Sequence, residues 1–377
     1  MSTGSVVAAI TAGAESGTPL RITGQGTWLD AGRPVRADKT ISMREDTGVV
    51  SYVPGDLTLT VRAGTTLSEI ARITREHDQW LPLDPYGSPN GTIGATIATA
   101  SAGPLSSNFG LPRDLVLGLE FVNGRGDVIR GGGKVVKNVA GFDLSRLLTG
   151  SWGSLGVVTE VTLRLYALPK ADHTFAIPLT GNEKEVAGVV HTVSISPFVP
   201  FALQLLSPTA ARALGVGHKA LCLIRFDGNE SAVRAQTSAL SHIARLEEVG
   251  VAVWDHLRTL ESGAHTSVRI STLSRRVIAM SARILGDEVP GVYTYIDPRR
   301  GILRVTAGAA GEQLAANESV DLRVEGDSST QVIYERLEPE LWPQVSPSVV
   351  TDPLSQGIKK AYDPHNILNP GILGDLM

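Results

Sequence analysis

Glycine is concentrated in one part of this chain, and this concentration limits how the chain can fold. Gly150, Gly153 and Gly156 are closely spaced, and the β-branched run 157–163 follows them directly. Glycine has no Cβ, so main chain built from it can approach a ligand closely. The β-branched run predicts a strand. Residues 91–156 hold 14 of the 40 glycines, which favours backbone-mediated binding of one extended ligand.

The length and composition indicate the class of protein. At 377 residues the chain exceeds one typical domain, so we expect two. Hydrophobic residues make up 42% of the chain and charged residues 19%, which is typical of a soluble globular protein. The net charge of −4 gives no reason to expect a nucleic-acid partner. No apolar run reaches about 18 residues, so no transmembrane helix is expected.

The N-terminal residues and the single cysteine indicate the compartment and the metal chemistry. No Lys or Arg precedes the apolar residues 5–16, whereas a secretory signal begins with basic residues. We therefore predict a short helix there, in a cytoplasmic protein. Cys222 is the only cysteine, which excludes an internal disulfide, an all-cysteine zinc site and an iron–sulfur cluster held by this chain alone. It lies in the apolar run 220–226 and is predicted to be a small core residue.

The pattern of predicted elements changes after Pro169. Before it, short strands and turns alternate, and Thr66 begins a helix because Glu69 completes a capping box. After it, strand-like runs alternate with amphipathic helices, including one predicted over 231–247, which indicates an α+β domain. The predicted strands are 20–23, 49–53, 57–62, 115–122, 128–129, 157–165, 175–179, 202–206, 220–226, 268–270, 292–296, 302–305 and 332–336.

The common nucleotide-binding and nucleophile fingerprints are not supported. After the GQG of residues 24–26, Leu29 occupies the place of the third glycine of G-x-G-x-x-G, and after the GRG of residues 124–126, Ile129 does. Neither a P-loop nor a G-x-S-x-G elbow occurs in the sequence. A Rossmann NAD site and a P-loop nucleotide site are therefore not expected.

Two other segments are predicted to hold a ligand. Residues 21–28 form a strand and a glycine turn whose successive N–H groups suit a pyrophosphate; a plain turn is the alternative. Residues 84–103 combine glycines with small side chains, so that a flat ring can lie against them. There, Thr92 and Ser101 can donate hydrogen bonds. The alternative for residues 84–103 is a small-residue helix packed tightly against a sheet.

Together these segments resemble the FAD-binding domain of the vanillyl-alcohol-oxidase superfamily, also called the PCMH-type fold. The resemblance implies an α+β chain with a two-subdomain, PCMH-type FAD-binding domain over 1–169. An α+β, ferredoxin-like cap or substrate domain would follow over 170–340, and a C-terminal segment over 341–377 would return to the FAD domain. FAD is the implied cofactor. Gln25 and Thr27 stand where covalent relatives carry histidine or cysteine, so the FAD is expected to be non-covalent.

The resemblance also implies which residues contact FAD. Loop 24–27 would hold the pyrophosphate, the segment around Gly94 would lie beneath the isoalloxazine ring, and the main chain of Val158 would read adenine. Arg113 and Asp114 are expected to form a structural ion pair or cap. The implied cofactor-binding residues are Gly24, Gln25, Gly26, Thr27, Pro85, Gly91, Thr92, Gly94, Ala95, Ala98, Ser101, Gly103, Gly153, Gly156, Val157, Val158 and Asn369.

Within the superfamily, residues 135–156 look most like the E subunit of bacterial glycolate oxidase. This resemblance implies an FAD-dependent oxidoreductase that oxidises a 2-hydroxy acid, such as glycolate or D-lactate, by hydride transfer to flavin N5. It implies a larger flavin subunit and an iron–sulfur subunit as partners, and membrane association only through them. The alternative is a non-catalytic, flavin-bearing relay or scaffold subunit whose partner oxidises the substrate.

The sequence defines the catalytic residues less well. Oxidation of a 2-hydroxy acid needs a cation for the carboxylate and a base for the hydroxyl proton. Arg269, Arg299 and Arg300 are candidate carboxylate clamps, and His256 and His265 are candidate bases; a solvated or structural charge is the alternative for each. The eight histidines form no H-x-H or H-x-x-x-H pair, so no metal site is expected. The lack of such a histidine pair favours the hypothesis that this chain relays electrons while a partner subunit oxidises the substrate.

Overall fold

The structure is a computed structural model, and the chain divides into two compact units. The first unit comprises Met1–Ala102, Phe109–Leu168 and Pro339–Met377, and the second comprises Gly103–Asn108 and Pro169–Glu338. The structure describes residues 2–133, 142–180, 182–196, 199–242, 244–286, 289–308, 330–345 and 352–374.

The described residues mix helices and strands, as the predicted α+β class requires. In chain order, strands β1 to β17 are Leu20–Thr23, Lys39–Ser42, Val49–Val53, Thr58–Arg62, Gln79–Trp80, Val116–Val122, Val128–Gly132, Val157–Arg164, Tyr166–Ala167, Ala171–Pro178, Ala202–Leu206, Leu221–Gly228, Glu247–Val249, Thr266–Ser271, Val292–Asp297, Ile302–Ala307 and Gln331–Arg336. Helices α1 to α12 are Thr3–Ser16, Leu67–Arg75, Ile93–Thr99, Ser106–Phe109, Pro112–Leu115, Leu144–Leu148, Glu183–Ile195, Pro208–Ala213, Glu230–Ser241, Val253–Thr259, Ser274–Gly286 and Pro353–Tyr362.

Local sequence signals explain several element boundaries. Thr66 caps α2, and its Oγ1 accepts the Glu69 N–H at 3.1 Å, as the capping pattern predicts. The predicted helix over 231–247 is wrong at its end: α9 ends at Ser241, and β13 pairs antiparallel with β10. Tertiary strand pairing therefore overrides the helical periodicity of this segment.

The first unit is built on a five-stranded antiparallel sheet in the order β3-β4-β8-β6-β7. Helices α2 and α3 contribute to the apolar core on this sheet. The short parallel pair β1-β2 lies in the same unit, and the C-terminal tail runs beside β1. Leu20 N–H donates to Ile367 O at 2.7 Å, and Asn369 N–H donates to Leu20 O at 2.9 Å. The tail is therefore an integral part of the first unit.

The second unit contains one eight-stranded antiparallel sheet in the order β13-β10-β12-β11-β15-β16-β14-β17. Strands β10–β13 have the order fourth, first, third, second, which is that of a ferredoxin-like motif, and strands β14–β17 repeat it. The two halves join where β11 pairs with β15. The resemblance implied a ferredoxin-like cap, but the sequence does not display the duplication, because strand order depends on long-range pairings.

The core of the second unit lies between this sheet and helices α7, α9 and α11. Cys222 is fully buried there, and burial raises the pKa of its thiol. Tyr295 is also fully buried, and Trp254 nearly so. The prediction that Cys222 is a core residue rather than a reactive thiol agrees with this placement. No helix among the described residues has both the length and the apolar character that crossing a bilayer requires.

Candidate cofactor site

The first unit contains a cleft that is open to solvent. Its walls come from the loop after β1, from α3, from the loop before β8 and from the C-terminal tail. The predicted cofactor residues that line it are Gly24, Gln25, Gly26, Thr27, Pro85, Gly91, Thr92, Gly94, Ala95, Ala98, Ser101, Gly153, Gly156, Val158 and Asn369.

The loop after β1 presents backbone donors that the protein does not use. Within the described part of the chain, the amide N–H groups of residues 24–27 donate no hydrogen bond. Gly26 has a left-handed φ of 80°, which turns the backbone sharply in this loop. Arg44 donates to the Gln25 carbonyl at 3.4 Å and brings a positive charge to the loop. Four successive donors in a concave turn fit an anionic group such as a pyrophosphate.

At the N-terminus of α3, in contrast, the N–H groups of residues 93–95 are already used by the protein. Ile93 N–H donates to Thr65 O and Gly94 N–H to Ala63 O, both at 2.9 Å. Ala95 N–H donates to the capping hydroxyl of Thr92 at 3.2 Å. A phosphate in this cleft would therefore be held by loop 24–27 and not by the helix.

Gly94 lines the cleft and is also required by the protein's own packing. A Cβ at this position would lie 2.8 Å from the Cβ of Ala63 and 2.9 Å from its carbonyl oxygen. Helix α3 also fits the alternative prediction for this segment, a small-residue helix packed against a sheet. Gly24 acts similarly, because a Cβ there would lie 2.2 Å from Thr92 Oγ1. The two glycines together let loop 24–27 and α3 approach each other and the sheet.

Asn369 connects three segments at the edge of the cleft. Its Oδ1 accepts Ile22 N–H at 2.8 Å, and its Nδ2 donates to Trp152 O at 2.7 Å. Gly153 has a left-handed φ of 70°, and a Cβ there would lie 2.8 Å from Asn369 Nδ2. Asn369 therefore positions β1, loop 152–153 and the tail around the cleft.

Two predicted cofactor residues do not line the cleft. Val157 is fully buried in an apolar core that includes Val6 and Ile10 of α1. Alternation along β8 directs Val158 to the cleft and Val157 to the opposite face. Gly103 belongs to the second unit, where its carbonyl accepts the Ser106 N–H at 3.1 Å.

Three aromatic residues of the cleft were not predicted from the sequence: Trp28, Tyr86 and Trp152. Each lies within one or two residues of a residue that was predicted to contact the cofactor, and this proximity was the available signal. Asp114 makes both interactions that were predicted as alternatives, an ion pair with Arg113 and a backbone cap. Arg113 Nε lies 3.9 Å from Asp114 Oδ1, and Asp114 Oδ2 accepts the Leu111 N–H at 2.8 Å.

The candidate catalytic residues lie in the second unit, and most of them are engaged by other protein groups. Arg269 Nε lies 2.9 Å from Glu335 Oε1, and His265 Nδ1 lies 2.6 Å from Glu338 Oε1. His256 is exposed on α10. The other two candidates also donate within the unit: Arg299 to Pro200 O at 3.0 Å and Arg300 to Ser106 Oγ at 2.5 Å.

A buried network of charges surrounds Arg269. Arg304 Nε donates to Glu261 Oε1 at 2.7 Å, and its Nη2 contacts Glu335. The hydroxyl of Tyr295 also donates to Glu261. Burial alone would raise the pKa of Glu335, but Arg304 and Arg269 beside it lower the pKa to about 2. No group of three or more His, Cys, Asp or Glu side chains in the described ranges is arranged to hold a metal ion.

Most residues that line this cleft belong to a region that matches a known family. Residues 1–132 match the FAD binding domain family. The chain is 36% identical over 243 residues to the glycolate oxidase subunit GlcE of Escherichia coli (strain K12), and this alignment spans 64% of each chain. It is 29% identical over 396 residues to the glycolate oxidase subunit GlcD of Bacillus subtilis (strain 168), which covers 95% of this chain and 84% of GlcD.

Solved structures share the fold. The 4-ethylphenol oxidase from Gulosibacter chungangensis superposes with a TM-score of 0.71 at 15% identity, over 99% of this chain and 88% of that one. An alkyldihydroxyacetonephosphate synthase superposes with a TM-score of 0.70 at 16% identity, over 98% and 75% of the two chains.

The fold and the cleft thus define a two-unit protein with an FAD-binding domain. The predicted PCMH-type resemblance, the α+β fold class and the FAD cofactor are confirmed. The names of the curated relatives agree with the predicted class, an FAD-dependent oxidoreductase of the 2-hydroxy-acid type.

Proposed function

We propose that this chain is the FAD-binding subunit of an oxidoreductase that acts on a 2-hydroxy acid of the glycolate or D-lactate type. The observation that carries the proposal is the cleft in which loop 24–27 offers N–H groups that no described residue accepts. The relatives named glycolate oxidase subunits support the substrate class. A relative named D-lactate dehydrogenase, from Arabidopsis thaliana, is 32% identical over 195 residues and also supports it.

In this proposal the chain binds FAD mainly through its backbone. Loop 24–27 holds the pyrophosphate, and the positive charge of Arg44 balances part of the phosphate charge. The small side chains of Ala95 and Ala98 leave room along α3. Gln25 and Thr27 form no bond to flavin, so binding is non-covalent. When bound, FAD would supply the two-electron acceptor for oxidation of the hydroxy acid.

The alternative is that the chain relays electrons and a partner subunit oxidises the substrate. The pairing of Arg269 with Glu335 favours it, because this cation already has a counter-charge. A substrate carboxylate would have to compete with Glu335 for Arg269. The candidates Arg269, His256 and His265 are accordingly weaker assignments than the cofactor residues.

We further propose that the chain works in a complex in the cytoplasm. The relatives named as subunits support partner chains, which we take to be a larger flavin subunit and an iron–sulfur subunit. The single cysteine of this chain supports a cluster on another chain, since such clusters usually need four thiolates. Any membrane association would then occur through these partners.

Anaerobic mixing distinguishes the two roles. The purified, flavin-loaded chain is mixed with glycolate or D-lactate while the flavin absorbance is followed. Bleaching by either acid supports catalysis by this chain, and an Arg269→Gln variant then shows whether Arg269 contributes to KM. Absence of bleaching until a partner subunit is added supports the relay role. A chain that takes up no FAD would contradict both.

A further inference from the structure

Two tryptophans form one wall of the proposed FAD cleft. The ring centroids of Trp28 and Trp152 lie 6.4 Å apart with an interplanar angle of 45°. Both rings line the cleft, and both residues are half-buried, so part of each ring surface faces the open space. Aromatic rings in such a position are suited to stacking on a planar ligand.

The backbone around each ring leaves room for it. Gly87 has a left-handed φ of 100°, and a Cβ there would lie 2.5 Å from Trp28 Nε1. Gly32 has a left-handed φ of 77°, and a Cβ there would lie 3.1 Å from Trp152 Cζ3. Each indole therefore packs closely against glycine main chain.

Trp152 also has an unusual backbone conformation. Its φ is 53°, in the left-handed region that bulky residues rarely adopt. The conformation is held from both sides, because Trp152 N–H donates to Ala98 O at 2.7 Å and Trp152 O accepts Asn369 Nδ2 at 2.7 Å. A glycine at this position would avoid the strain, as at the neighbouring Gly150 and Gly153. Retention of a strained side chain at a cleft points to a role in ligand binding.

The position of Trp28 in the sequence indicates which ring of FAD the two tryptophans would contact. Trp28 directly follows loop 24–27, the proposed pyrophosphate site. In FAD a single ribose joins adenine to the pyrophosphate, whereas an open five-carbon chain joins the isoalloxazine. The ring nearer the pyrophosphate is therefore adenine. We propose that Trp28 and Trp152, tilted against each other on one wall of the cleft, form an aromatic clamp that offers a stacking surface to one face of the adenine ring and so recognises the adenylate half of FAD. This inference rests on the proposed FAD site.

Calorimetric titration of the full-length, flavin-free chain with FAD and with ADP tests the clamp. Trp152→Asn removes the ring but keeps a residue that tolerates the left-handed conformation. Trp152→Phe keeps an aromatic face. Base–aromatic stacking predicts that Trp152→Asn weakens the binding of both FAD and ADP by about 10- to 100-fold, whereas Trp152→Phe weakens each by about threefold or less.

The outcomes separate the clamp from the proposed function. If Trp152→Asn binds FAD as the parent does, the clamp is refuted while the FAD site stands. If Trp152→Asn loses affinity for FAD but not for ADP, the stacked ring is not adenine and the inference is again refuted. If the parent chain binds no FAD, the proposed function itself fails. Trp80→Leu serves as a control, because Trp80 packs edge-on against Phe109 outside the cleft, and thermal unfolding of each flavin-free variant reports its folding.

Discussion

The cleft of the first unit and the charge network of the second unit differ in how their polar groups are used. In the cleft of the first unit, the N–H groups of loop 24–27 donate to no described residue, and few charges line the walls. In the second unit, Arg304 contacts Glu261 and Glu335 within one buried network. The comparison teaches that an abundance of charged side chains does not by itself indicate a ligand site, because such charges can neutralise one another.

The largest expected effect comes from breaking the charge network of the second unit. Arg304→Met leaves Glu261 and Glu335 buried without their shared cation, which should lower the free energy of unfolding by about 3–5 kcal/mol. Urea denaturation measures this loss. The exposed Arg234 of α9 provides the matched control, since Arg234→Met should change stability by less than about 0.5 kcal/mol. Equal effects of the two substitutions would contradict the contrast between paired and unpaired charges.

A second prediction concerns the carboxyl group of Asp227, which lies outside the charge network of the second unit. Asp227 is 6% exposed, and neither of its oxygens has a hydrogen-bond partner among the described residues. Burial raises its pKa to about 8. Because the folded-state pKa exceeds the unfolded value, the stability associated with the bound proton is complete below about pH 4 and is lost as the pH rises to about 8.

Asp227→Asn should therefore raise the free energy of unfolding by about 2–4 kcal/mol at pH 8 and leave it nearly unchanged at pH 4. Denaturation curves at pH 4, 6 and 8 provide the measurement. A gain that is the same at all three pH values would show that ionisation of Asp227 is not responsible.

A third prediction sharpens the role of Asn369 in the cleft. Asn369→Ala leaves the Ile22 N–H and the Trp152 carbonyl without their side-chain partner, which should cost about 1–3 kcal/mol of stability. FAD should also bind more weakly, because loop 152–153 loses its anchor to β1. Thermal unfolding and FAD titration of the same preparation test both effects. Unchanged FAD affinity would mean that the anchor does not shape the site.

The smallest expected effects come from substituting one glycine in each unit. Gly188 lies within α7, and a Cβ there would meet no atom within 4 Å. Gly188→Ala should stabilise the chain by about 0.5–1 kcal/mol, because alanine favours helix over glycine. Gly153→Ala should destabilise it, since a Cβ would approach Asn369 in a left-handed backbone. Chemical denaturation of both variants checks the opposite signs, and two stabilising substitutions would remove the distinction.

Much of the first unit follows from the sequence, because its signals are local. The glycine turn at 24–26, the cap at Thr66 and the strand after Gly156 each depend on adjacent residues. The close packing of Gly94 against Ala63 could not be predicted, because the two residues are distant in sequence. Val157 was predicted to contact the cofactor because that prediction did not consider that side chains alternate between the two faces of a strand.

The second unit was harder to predict, since its organisation depends on long-range partners. Arg269 was a reasonable candidate for a substrate clamp, but its charge is balanced by Glu335, which comes from a strand far along the chain. The duplicated strand order and the early end of α9 likewise reflect pairings across the sheet. The periodicity of the sequence predicted most strands of this unit but not which strands pair with each other.

The central claim is that unused backbone donors of loop 24–27 bind the pyrophosphate of non-covalent FAD. Its most direct test is titration of the purified, flavin-free chain with FAD and with riboflavin, which lacks the pyrophosphate, followed by acid precipitation. The account predicts that one FAD binds per chain, that riboflavin binds far more weakly, and that acid releases the flavin into solution. Equal affinity for riboflavin, flavin retained in the acid pellet, or a chain that stays colourless in excess FAD would contradict it.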